Sequence, residues 1–341
     1  MGQGVARVDH TPAEGDPVHN WVIFIPFALP GEVVKVKIVG NSKKNSTARI
    51  IEVLEASADR VTPQCKHFFH CGGCQYQHLT YPKQLELQTQ HINEQLHRLA
   101  DIQHPVNAAI PSPQIWNYRS KITPHYKKPV KDKIQAIGFL HHSNKNQLID
   151  LQNCAIAMEE LNAALPAVKK HTKGRARMIK EDGTLLMRVN EGSVETSKQN
   201  AVKETVGEID FHFLAGDFFQ NNPYILEDFT NYVAQQASQS KLKYLVDAYC
   251  GCGLFALTLA NKFEQVAGVE VSETSTDWAR YNAKRNGIEN VCFHTGSAEK
   301  IFKNIEFPAE QTAIVVDPPR AGCNKAFLEQ LFNFRPSRVI Y

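Results

Sequence analysis

The stretch that most limits what this chain can fold into runs from Leu245 to Leu257. An apolar segment meets two closely spaced glycines and then resumes as a second apolar segment. Tyr244 to Val246 read as a buried strand that ends at Asp247. Gly251 and Gly253 let the backbone turn sharply and leave room for a ligand against it. A helix starting near Phe255 would aim its N-terminus at that ligand. The order strand, glycine turn, helix predicts an α/β sheet with a nucleotide-type cofactor at its carboxyl edge. The glycines alone leave other readings open. Gly251, Gly253 and Ala256 also fit the dinucleotide spacing G-x-G-x-x-G/A, and a ligand-free turn has the same form.

Two carboxylates tilt the choice toward S-adenosylmethionine. Asp247 ends the strand, where a carboxylate can meet a cationic ligand. The next strand, Gln265 to Val269, ends at Glu270, placed to accept from two ribose hydroxyls. Beyond it the alternation is regular, with strands at 265–270, 291–294, 312–316 and 338–341 and helices at 255–262, 273–286 and 325–333. Asn286 and Gly287 close the second of these helices, and a short helix is expected before the strand at 312–316. This predicts a doubly wound parallel sheet. Asp317 stands at the end of a buried strand, and Pro318 and Pro319 stiffen the loop beyond it, which can face a planar base. Asp217, Phe218, Phe219 and Gln220 form an aromatic turn before a helix at 224–236. Alone, Gln220 would read as an ordinary loop glutamine.

At 341 residues the chain can hold two or three domains, each with its own core. Its net charge of +3 permits nucleic-acid binding without arguing for it. No run of 18 apolar residues is present, so no membrane span is expected. The N-terminus lacks the charged and apolar regions of a secretory signal. A cytoplasmic protein follows, and there eight cysteines point to metal or catalysis rather than disulfides.

Three of the cysteines, Cys65, Cys71 and Cys74, stand at C-x5-C-x2-C spacing, with Gly72 and Gly73 letting the chain wrap closely. A fourth ligand must come from elsewhere, and Cys154, after the apolar run at 148–151, is the best candidate. Four thiolates suit zinc or an iron–sulfur cluster, and His67 or His70 could replace a thiolate on zinc. Residues 1–56 show four short apolar runs, with Lys35 and Lys37 alternating with valines. This predicts a small β-barrel with a basic face. Residues 57–218 read as an α+β middle domain around the cysteine loop, and residues 219–341 as the doubly wound domain. A helix over 81–100, with Leu85, Ile92, Leu96 and Leu99 on one face, is free to pack on the C-terminal domain. Trp116, Tyr118, Arg119 and Lys121 are either a base-stacking and phosphate patch or the start of a strand.

Taken together these motifs resemble the RNA uracil-C5 methyltransferase family with an N-terminal TRAM domain and a 4Fe-4S cluster, whose bacterial members act chiefly on 23S rRNA. The likeness runs from Gly2–Arg7 through the cysteine loop, the Gln220 turn, Asp247–Gly253 and Glu270 to Asp317–Gly322. It implies that Cys65, Cys71, Cys74 and Cys154 hold the cluster. It also implies that Gln220, Tyr249, Glu270 and Asp317 contact S-adenosylmethionine, with Glu270 on the ribose and Tyr249 packed against the cofactor. Leu254 stands where the family often has asparagine. The implied partner is RNA, 23S rRNA first and tRNA second, and the implied state a monomer.

The resemblance also implies covalent chemistry. A cysteine thiolate adds to uracil C6, C5 takes the methyl group, and a base removes the C5 proton before the cysteine is expelled. The target base must leave its stack to be reached. In the family the nucleophile lies in a Ser-Cys-Asn-Pro motif after the fifth strand, and the base glutamate lies farther on. The chain ends at Tyr341, on that strand, so no catalytic residue is assigned and residues 1–341 are expected to be inactive alone, as a fragment or a truncated frame. Cys323 is on the wrong loop to serve instead. Two rival readings remain, a catalytically dead RNA-binding iron–sulfur protein and a dinucleotide oxidoreductase.

Overall fold

A five-stranded parallel sheet stands where the sequence alternates between strand and helix. Its spatial order is Val291–Thr295, Gln265–Glu270, Tyr244–Ala248, Thr312–Val316, Arg338–Ile340. The computed structural model describes residues 2–10, 19–238, 242–297 and 305–341. The three inner strands are mostly apolar because both faces are covered, with Asp247 a buried exception. Leu245, Val266, Ala313 and Val315 enter one core with Phe255, Leu257 and Ala279. Val246, Ala267, Ile314 and Val316 enter a second core with Phe327. The helices Leu254–Thr258, Glu273–Arg285 and Lys325–Phe334 follow the strands as expected. Ser272 caps the second by accepting from the Ser275 amide at 3.2 Å, and Asn324 caps the third by accepting from Phe327 at 2.9 Å. Between the strands expected at 291–294 and 312–316, where a short helix was expected, the described residues hold a 3-10 turn, Ala309–Gln311, and residues 298–304 lie outside the described residues.

The order of the strands fixes where a ligand can sit. Successive strands step outward from Tyr244–Ala248 to Gln265–Glu270 and Val291–Thr295. The chain then crosses back to lay Thr312–Val316 on the other side of Tyr244–Ala248. The switch point therefore lies between Tyr244–Ala248 and Thr312–Val316, and the crevice beyond their carboxyl ends is the binding position of such a sheet.

The chain divides into two compact units. One comprises Met1–Pro111, Pro124–Ala155 and Lys169–Gly183; the other comprises Ser112–Thr123, Ile156–Val168 and Thr184–Tyr341. These cut across the segments 1–56, 57–218 and 219–341 read from the sequence, because the middle segment contributes to both units. The second unit adds to its parallel sheet an antiparallel hairpin, Ala201–Val206 with Ile209–Leu214. It also holds a three-stranded sheet in which Met187–Asn190 lies between Ser193–Glu195 and Lys121–Ile122. The patch at Trp116–Lys121 thus resolves in favour of a strand at its end.

The first unit begins with a four-stranded sheet in the order Gln3–His10, His19–Pro26, Asn45–Glu55, Val33–Asn41. All pairs are antiparallel except His19–Pro26 with Asn45–Glu55. Arg60 ties the end of this sheet to the segment beyond. Its Nε donates to Glu32 Oε1 at 2.5 Å, and its Nη2 donates to Glu32 Oε2 at 2.7 Å and to the Phe27 carbonyl at 2.8 Å. The helix Tyr81–Ala100 forms as expected and belongs to this unit. Its apolar stripe is not a buried face. No residue of the helix is buried, and Ile92 and Leu99 are exposed. Among the described residues, no helix is long and apolar enough to cross a membrane.

Candidate functional site

The turn after Tyr244–Ala248 is left-handed at Tyr249 (φ 66°), Gly251 (φ 54°) and Gly253 (φ 96°). Glycine adopts that region freely, but Tyr249 carries a side chain there, and such strain concentrates at functional sites. Glu270 supports the turn with both carboxylate oxygens. Oε2 accepts from the Gly251 amide at 3.1 Å and Oε1 from the Ser272 amide at 2.9 Å. Each oxygen keeps a lone pair, so two adjacent hydroxyls can still bond here.

Asp247 plays a part that the sequence did not show. It is fully buried, and its Oδ2 accepts from the Ala256 amide at 2.9 Å. Gly253 caps the helix Leu254–Thr258 and has no side chain to offer, so Asp247 supplies the missing acceptor from the strand. Its Oδ1 makes no hydrogen bond. Burial pushes the Asp247 carboxyl up to about 8, with Asp317 and Glu270 adding to the rise and the Ala256 amide opposing it. Asp317 and Glu270 are therefore each close enough to act on Asp247.

Asp317 follows Thr312–Val316 as an exposed residue, yet the protein beside its carboxyl pushes it above the usual range. The Tyr249 ring packs 5.5 Å from that of Phe327, and its side chain hydrogen-bonds the Cys323 thiol. Burial raises the Cys323 thiol and Tyr249 opposes the rise. A raised thiol is not an activated nucleophile.

Gln220 directly follows Phe219. Phe219 is buried and stacks on Phe213, with ring centroids 4.5 Å apart and planes 13° from parallel. Phe219, Cys250, Cys252 and Leu254 belong to one core. Cys250 and Cys252 are buried, and burial raises both thiols, as suits packing residues. Tyr249, Glu270 and Asp317 thus line the carboxyl ends of three adjacent strands, and Gln220 follows a turn held by the same core.

The four expected cysteine ligands all lie in the first unit, and none of the eight cysteines is disulfide-bonded. Burial raises the Cys71 thiol and takes that of Cys74 to about 11, and in both cases Cys154 and Cys65 raise it further through space. Cys71 pairs as a bridge with His141, and Gly73 donates its amide to Cys71 Sγ at 3.4 Å. Thiolates on one tetrahedral zinc lie about 3.8 Å apart, given Zn–S bonds of about 2.3 Å. Among the described residues, no three or more His, Cys, Asp or Glu side chains are arranged to hold one metal ion, neither the four cysteines nor the sets with His67 or His70.

The family model for tRNA (uracil-5-)-methyltransferase matches residues 126–341. The chain belongs to that family. It is 37% identical over 362 residues to the tRNA (uracil(54)-C(5))-methyltransferase of Schizosaccharomyces pombe, covering 98% of this chain and 68% of that protein. It is 31% identical to the Saccharomyces cerevisiae protein of the same description, covering 100% and 64%. It is 30% identical to an uncharacterised RNA methyltransferase of Halalkalibacterium halodurans, covering 100% and 84%. The chain thus spans about two thirds of the length of the two yeast relatives. Its fold is that of the Pyrococcus abyssi tRNA (uracil-54, C5)-methyltransferase, solved with S-adenosyl-L-homocysteine. The TM-score is 0.70 over 93% of this chain and 84% of that one, at 20% identity.

Sequence reading passed over one group near this site. Arg188 is buried within the strand Met187–Asn190, and its signal was a charge inside the apolar run at 185–189.

Proposed function

We propose that this family member uses S-adenosylmethionine to methylate uracil C5 in RNA. The observation that carries the reading is the placement of Glu270, Tyr249 and Asp317 at the carboxyl ends of three adjacent parallel strands, around the topological switch point. Glu270 would take the ribose hydroxyls, Asp317 the adenine, Tyr249 one flank of the cofactor, and Gln220 its far side. When bound, the cofactor supplies a methyl group on a cationic sulfur. Asp247 is buried with its Oδ1 free of hydrogen bonds, and that positive charge would draw its raised carboxyl toward the ionised form.

tRNA stands first as substrate, because the names of both yeast relatives specify uracil 54 of tRNA. The 23S rRNA expectation has no comparable support among these relatives. The chemistry remains the covalent route, with a thiolate at C6 activating C5. Residues 1–341 contain no Ser-Cys-Asn-Pro motif, so these residues are expected to bind cofactor and RNA without turnover.

The reading includes a 4Fe-4S cluster on Cys65, Cys71, Cys74 and Cys154. What supports it is that Cys65 and Cys154 stand near enough to Cys71 and Cys74 to raise both thiols through space. The reading also takes the four-stranded N-terminal sheet as a TRAM domain, and the protein as a cytoplasmic monomer.

The test is a filter-binding competition between a tRNA transcript and a 23S rRNA fragment, run beside a tritium-release assay on uracil-5-labelled RNA. Preference for tRNA with no tritium release agrees with the reading. Binding of neither RNA, or binding of NADH in a parallel titration, would sink it.

A further inference from the structure

Two cations of the second unit meet on one carbonyl beneath the turn that carries Gln220. Arg188 is 2% exposed. Its Nε donates to the Ala215 carbonyl at 3.1 Å and its Nη2 to the Asp217 carbonyl at 2.9 Å. The guanidinium lies 4.9 Å from the centre of the Phe213 ring, which stacks on Phe219. Lys121 pairs with Arg188 across the two antiparallel strands, and its Nζ donates to the same Asp217 carbonyl at 3.0 Å. On the other side of Gln220, the Ser120 amide donates to the Asn221 carbonyl at 2.8 Å. The segment from Asp217 to Asn221 is therefore gripped at both ends by residues 120, 121 and 188, with Gln220 between the grips.

That arrangement is costly for a purely structural turn. A buried guanidinium is stabilised best by a carboxylate at hydrogen-bond distance. Here the bonds go to main-chain carbonyls, and Glu204 and Asp217 act only through space. Apolar residues could fill the same volume without the desolvation cost. Charge directed at carbonyls instead fixes where those carbonyls point, and so fixes the backbone that follows.

We propose that Lys121 and Arg188 are positioning residues that hold the Asp217–Asn221 turn so that Gln220 meets the cofactor. The proposal rests on the reading that Gln220 contacts S-adenosylmethionine. One hydrogen bond of this kind is worth about three- to tenfold in affinity.

The test is calorimetric titration of residues 1–341 with S-adenosylhomocysteine, each variant also being melted. Lys121→Met should weaken binding about three- to tenfold, and Lys121→Arg should restore most of the loss. In a Gln220→Ala background, Lys121→Met should cost nothing further, because the contact it positions is already gone. Arg188→Lys, which keeps the charge but not the fork, should weaken binding in the same Gln220-dependent way. If Lys121→Met binds like the parent, or its loss persists undiminished with Gln220→Ala, the positioning role is wrong while the cofactor reading stands. If Gln220→Ala binds like the parent, or the parent does not bind at all, the cofactor reading fails and takes the proposal with it.

Discussion

At the scale of single residues, most of the chemistry lies in carboxylates whose surroundings differ. Burial alone would push the Glu32 carboxyl up. Bonds from Arg60 and from the Leu29 and Ser57 amides outweigh it and hold the group at about 2, against 4.5 when unperturbed. The stabilisation, about 3 kcal/mol, is complete above pH 4.5 and is lost as pH falls through about 2. Arg60→Met should cost about 3–5 kcal/mol at pH 7 by leaving a buried carboxylate unpaired, and urea titrations from pH 2 to 7 should show a flatter acid limb. Asp247 runs the other way. Its folded carboxyl is raised to about 8, above the unfolded value of 3.8, so its contribution is lost as pH rises. Asp247→Asn keeps an acceptor for Ala256, and its stability relative to the parent should grow from pH 4 to pH 8 and then level off. A constant difference over that range would show that Asp247 is ionised in the folded chain. Glu270 and Asp317 were legible because each ends an apolar run. The capping role of Asp247 was not, because it depends on the fold bringing the end of the strand to the amide of Ala256, nine residues on, where Gly253 offers no side chain.

Elements were legible in proportion to how fully they are buried. The inner parallel strands are apolar on both faces, and their limits at 265–270 and 312–316 match the folded strands. The hairpin Ala201–Val206 with Ile209–Leu214 escaped notice because Lys203, Glu204, Asp210 and His212 break its apolar pattern, although Phe211 and Phe213 are buried. The helix Tyr81–Ala100 misled in the opposite sense, since its periodic leucines do not form a buried face. Leu99→Lys should therefore shift stability by no more than about 0.5 kcal/mol, and a larger loss in thermal melts would mean that the leucine is covered in solution. The cysteine loop makes a sharper claim. Anaerobically purified protein should absorb visible light, and Cys154→Ser should remove most of that band. Colourless protein with one bound zinc would overturn the cluster, since zinc is d¹⁰.

At the scale of the whole molecule, the chain joins a unit holding the cysteine loop to a unit holding a switch-point sheet. Ligand that binds only the folded second unit should raise its stability by about 2.7 kcal/mol at a hundredfold excess over Kd. The doubly wound architecture was readable from the alternation of elements. The division into two units was not, because residues 112–123 and 156–168 leave the middle of the chain to pack with residues far along it. The central claim is that the carboxyl edge of the parallel sheet binds S-adenosylmethionine. It is tested most directly by ultraviolet cross-linking of methyl-tritiated S-adenosylmethionine to residues 1–341, followed by mapping of the labelled peptides. The account predicts label on peptides containing Gln220, Tyr249, Glu270 or Asp317, displaced by excess S-adenosylhomocysteine. Label confined to peptides of the first unit, or label that the competitor does not displace, would contradict it.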